Sequence, residues 1–101
     1  MLNLTETTAR LTEFATATND QLTDITYKLT DAYEDSIDNY RFSAKANNHR
    51  VVLCYYPADD NFSIYPHYGF YHASLQDPDV FSFNTVAELT DLISRYFPPK
   101  N

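Results

Sequence analysis

The hydrophobic period of this chain changes from 3.6 to 2 at Tyr40, and that switch limits the fold more than any other feature. YRFSAKA and HRVVLCYYP flank Asn47-Asn48. Alternation with period 2 marks strands, and Asn tolerates the positive φ angles that a two-residue hairpin turn demands. An antiparallel hairpin is therefore expected, with strands over about 40–46 and 49–56. If Ala46 opposes His49, then Tyr40, Phe42, Ala44, Val51, Leu53 and Tyr55 share one face, the core face. Arg41, Ser43, Lys45, Arg50, Val52 and Cys54 share the other.

Before Tyr40 the larger apolar residues recur three and four apart, at Leu4, Leu11, Phe14, Ala15, Leu22, Ile25, Leu29, Ala32, Tyr33 and Ile37. That spacing predicts helix over 4–39. Asn3 and Glu6 form a capping box at its start, and Thr18 with Gln21 repeats the pattern, which places a break near 17–20. An unbroken helix would run about 54 Å and overhang a domain whose radius of gyration should be about 13 Å. It would then need a second copy packed along its Thr-rich first half. A break or kink is favoured, with a homodimer as the alternative.

After the hairpin, Ala58–Asn61 is a turn, and one bent or two short strands, interrupted by Pro66 and Gly69, are expected over about 62–74. Val80–Phe83 is a short apolar stretch. Thr85 and Glu88 then cap a last helix over 86–97, which Pro98-Pro99 ends. The whole chain, 1–101, reads as one α+β domain: an N-terminal helix or two, a three- or four-stranded antiparallel sheet, and a C-terminal helix. Many functions share that order, so function must be sought in sites.

Composition excludes several classes. A single cysteine, Cys54, rules out an intramolecular disulfide framework and fits a reducing cytoplasm. The N-terminus MLNLTETTARL lacks a signal-peptide pattern, and no run approaches the roughly 20 apolar residues of a membrane span. A cytoplasmic protein without membrane association is expected. The net charge of −7 disfavours direct binding to nucleic acid and favours a basic partner. The charge is also segregated: residues 20–39 hold six acids against Lys28, whereas residues 40–58 hold Arg41, Lys45 and Arg50 with no acid.

No catalytic signature accompanies this pattern. His67 and His72 would point to opposite faces of an unbroken strand, and Cys54 has no CxxC partner, so neither metal nor another cofactor is expected. A Cys54 nucleophile would need His49 or His67 beside it and an oxyanion loop, but the chain has one glycine. A half-buried structural thiol is the simpler reading. Asp59-Asp60 and Asp77/Asp79 sit in turn contexts, where Asp bonds its own backbone. Lys45 and Arg50 would face each other across the hairpin, an arrangement that calls for an anion between them or an acid of the same chain.

Two surfaces remain as candidates for partner binding. One is the aromatic run around Tyr65, Tyr68 and Tyr71, expected on the second sheet face, where Tyr offers rigid contact area with a polar tip. The other is DQLTDITYKLTDAYEDSID. Taken as a helix at 100° per residue, it brings Asp20, Asp24, Asp31, Glu34, Asp35 and Asp38 within about 100° of arc, opposite Leu22, Ile25 and Leu29. Acids four apart rise by about 6 Å, comparable with the spacing of phosphates along a strand. Most helices intersperse Lys with their acids instead.

In size, charge and element order the chain resembles the small acidic inhibitors carried by bacteriophages, the DNA mimics and anti-CRISPR proteins. That resemblance implies non-catalytic, stoichiometric binding to a basic nuclease or other nucleic-acid-binding protein. Arg and Lys that normally hold phosphate would pair with Asp24, Asp31, Asp35 and Asp38. Two other classes are compatible with the residues: a toxin-neutralising immunity protein or antitoxin, and an adaptor that self-associates through its N-terminal helix.

Overall fold

The computed structural model describes residues 2–28, 39–67 and 80–99. Helix α1 (Leu4–Ala17) is followed by strands β1 (Leu22–Lys28), β2 (Tyr40–Ala46), β3 (His49–Tyr56), β4 (Asn61–Pro66) and β5 (Phe81–Phe83), then helix α2 (Val86–Tyr96). The strands form one antiparallel sheet in chain order. The α+β class is as expected; the sheet has five strands rather than three or four. No helix among the described residues is long and apolar enough to cross a membrane.

The expected capping box starts α1. Asn3 Oδ1 accepts from the Glu6 N–H at 2.8 Å while the Asn3 N–H donates to Glu6 Oε1 at 3.0 Å. Thr8, Thr12 and Thr16 each donate a hydroxyl hydrogen bond to the carbonyl four residues earlier, so the Thr-rich side serves the helix's own backbone. Leu11 and Phe14 are buried on the other side. At 14 residues α1 is about 21 Å long, so the overhanging rod that would have called for a second copy does not arise.

The chain leaves α1 where a break was expected. Asn19 and Asp20 adopt left-handed φ angles of 55° and 63°, a region these two residue types enter more readily than most. The Thr18–Gln21 pair does not open a second helix. The Thr18 hydroxyl donates back to Ala15 O at 3.0 Å, closing the first one.

The helix expected across residues 22–28 is instead strand β1. Its pairing with β2 moves from Thr23↔Lys45 to Thr26↔Ser43, so β1 spends one residue more than its partner. Asp24 sits in this β-bulge with φ 55°. The extra residue shifts the apolar phase: Leu22 is buried in the core and Ile25 packs against it, three residues apart as on a helix. Thr23, Ile25 and Thr26 are β-branched, which favours a strand. The helix expected over 29–38 lies outside the described residues.

The hairpin has the expected register, from Ala46↔His49 to Tyr40↔Tyr55. Asn47 and Asn48 take φ angles of 48° and 70°. Phe42, Ala44, Val51, Leu53 and Tyr55 face both helices and join Phe62, Ile64 and Phe83 in the main core, with Leu11 and Phe14 from α1 and Leu89 and Ile93 from α2. Phe14 meets Phe62 and Phe83 edge-on, each at 5.5 Å between ring centres. Each such apolar side chain contributes about 1.5–3 kcal/mol by burial.

The Thr85–Glu88 capping box starts α2 as expected. The far end of α2 is tied to the hairpin turn, because Asn47 Nδ2 donates to Phe97 O at 3.0 Å and His49 Nε2 lies 2.7 Å from Pro98 O. The Asn47 N–H also donates to Gln21 O at 2.8 Å. The turn therefore clamps the exits of both helices.

Candidate functional site

The face of the sheet turned away from the helices has two zones. At its centre Val52, Cys54 and Tyr65 form a second buried cluster, with Tyr56 and Val80 packed against it. Ser63, the register partner of Cys54, is also buried. Tyr65 is only 1% exposed, which corrects its expected place in an exposed aromatic patch. It lies opposite Val52 on β3, inside the cluster, and its phenolic oxygen is 3.8 Å from Cys54 Sγ. Tyr68 and Tyr71 lie outside the described residues.

This zone holds its protons tightly. Burial pushes the Cys54 thiol above its ordinary range, outweighing the Arg41, Tyr65 and Tyr56 hydrogen bonds that act to lower it. Tyr56 is pushed up to about 12, first by burial and then by Cys54, and Tyr65 is raised by burial as well. A nucleophilic thiol needs the opposite environment, exposed and with a lowered pKa. Neither histidine considered beside Cys54 is near it in register: His49 pairs at the turn with Ala46, and His67 follows Pro66, the partner of Val51. Among the described residues no three His, Cys, Asp or Glu side chains gather as a metal site.

The second zone lies at the hairpin end of the same face. Lys45 and Arg50 are register partners, and with Asp24, Ser43 and His67 they line a concavity of about 140 Å³. Asp24 reaches Lys45 at 3.6 Å, both side chains being largely exposed. An acid of the same chain therefore answers Lys45. It comes from a strand bulge rather than a helix face.

The acidic residues part company accordingly. Asp20 is exposed in the turn after α1, and Asp24 is exposed in the bulge of β1. They do not share a helical arc, and the 6 Å rise calculated for this pair has no helix to carry it. Asp31, Glu34, Asp35 and Asp38 lie outside the described residues. Most other described acids have local partners. Glu6 and Glu88 close capping boxes, Glu13 pairs with Arg10, Asp91 pairs with Arg95, and Asp60 accepts from the Tyr55 hydroxyl.

No known protein family, curated protein or solved structure matches the chain. Function must therefore be argued from these residues alone.

Proposed function

We propose that the protein is a non-catalytic inhibitor that presents carboxylates to a basic nucleic-acid-binding protein, in the manner of a DNA mimic or anti-CRISPR protein. The observation that carries this reading is a run of acids with no base among them in the sequence. In the described fold most carboxylates cap a helix or meet a cation, whereas residues 29–38 contribute Asp31, Glu34, Asp35 and Asp38 without a single base. That segment joins β1 to β2. Four like charges in so short a stretch repel one another and add to the net −7, a cost that a cationic groove would relieve. The expected mode is tight electrostatic capture with the partner's Arg and Lys as the recognised groups.

An immunity protein or antitoxin would use the same electrostatics against a basic toxin, so the identity of the partner separates the two. The test is affinity capture from the cytoplasm of the native host, followed by competition with duplex DNA. A basic nucleic-acid-binding protein that DNA displaces from the chain is the expected result. Capture of a partner indifferent to DNA would contradict the mimic reading.

A further inference from the structure

We propose that the concavity between Lys45 and Arg50 is a binding site for a phosphomonoester group. The two cations oppose each other across β2 and β3, where like charges destabilise a ladder unless something lies between them. Asp24 offers one carboxylate, 3.6 Å from Lys45. Arg50 is exposed, and its guanidinium has no carboxylate partner among the described residues. Ser43 adds a hydroxyl to the lining, and His67 lines the same concavity, fixed there by its backbone N–H donating to Arg50 O at 3.1 Å.

The donor set therefore combines a guanidinium fork, an ammonium and a hydroxyl against a single carboxylate, around a space of about 140 Å³. A guanidinium matches two oxygens of one phosphate, while Lys supplies a point charge. Two cations at one spot are too few to track a polynucleotide, whose affinity accumulates over many phosphate contacts. A phosphate carried on a small molecule or a single side chain suits the site better. Asp24 acts against it by holding Lys45, so its removal should tighten binding.

No residue of segment 29–38 is among the described residues that line the site, and its test does not depend on the inhibitor reading. Backbone amide NMR spectra of the full chain would be followed during titration with inorganic phosphate and with phosphoserine, at constant ionic strength set with chloride. Saturable shifts are expected at Ser43, Lys45, Arg50 and His67, with phosphoserine binding at least as tightly as inorganic phosphate. Arg50→Gln should weaken binding about tenfold, and Asp24→Asn should tighten it about fivefold. Both substitutions are at exposed positions, and spectra that otherwise superimpose on the parent's would show the fold retained. Shifts that never saturate, indifference to Arg50→Gln, weaker binding by Asp24→Asn, or tighter occupation of the same amides by single-stranded DNA would each overturn the proposal.

Discussion

Single residues set the turning points of this fold, and most of them are Asn or Asp with positive φ. Asn19, Asp20, Asp24, Asn47, Asn48 and Asp60 all take φ between 47° and 70°. A β-branched residue in that region is strained, so Asn48→Val should destabilise the chain by about 1–2 kcal/mol, read as a lower urea midpoint. Asn48→Gly should leave the midpoint nearly unchanged or raise it. The Asn47-Asn48 turn was legible because it lies between two alternating runs. Asp24 was not, because one Asp inside an apolar-rich stretch gives no sign that it bulges.

Cys54 makes stability depend on pH. Burial raises its pKa from an ordinary 9.0, so the unfolded thiol ionises at lower pH than the folded one. The stabilisation is complete below that ordinary value and is lost as pH rises through the folded pKa. Tyr56, raised from 10.0 to about 12, extends the same loss upward. Stability should therefore hold at neutral pH and fall above about pH 9, with Cys54→Ala flattening the first part of the fall. A thiol reagent should label native Cys54 far more slowly than the urea-unfolded chain. Rapid native labelling would contradict the burial, which also leaves this thiol badly placed for a bridge between two chains.

At the scale of elements, the hairpin, the α1 capping box, the break after Ala17 and α2 could all be read from the chain because each has a local signal. β1 could not. Its bulge puts Leu22 and Ile25 three apart on the core side and so imitates a helix, and only the β-branched content of LTDITYK argued otherwise. The burial of Tyr65 also has a signal in the sequence. β3 reads VVLCY without a polar break, and a continuous apolar run marks a strand covered on both faces; Tyr65 lies opposite Val52 in that covered zone. NMR should show extended-type shifts over 22–28 and cross-strand contacts from Thr26 to Ser43 and Tyr27 to Phe42. Sequential helical contacts there would refute the strand. Thr85→Ala should remove one half of the α2 capping box and cost about 1 kcal/mol, measured by the same urea titration.

For the whole molecule the governing fact is charge. Its distribution was legible without any structure: the six acids of residues 20–39 and the three bases of residues 40–58 stand in the sequence as counted. The fold changes what they mean, because Asp24 sits in a strand bulge and pairs with Lys45 at the surface, and so is not part of a helical stripe. Asp31, Glu34, Asp35 and Asp38 are left as the acids on which partner binding is proposed to depend. The most direct test is the affinity of the captured basic partner for the parent chain and for the variant in which these four become Asn, Gln, Asn and Asn, measured across a salt series. The expected result is that parent affinity falls steeply with salt and that the variant binds at least a hundredfold more weakly at low salt, about 0.7 kcal/mol for each charge removed, while its urea midpoint does not fall. Equal affinity of parent and variant, with the same salt dependence, would contradict it.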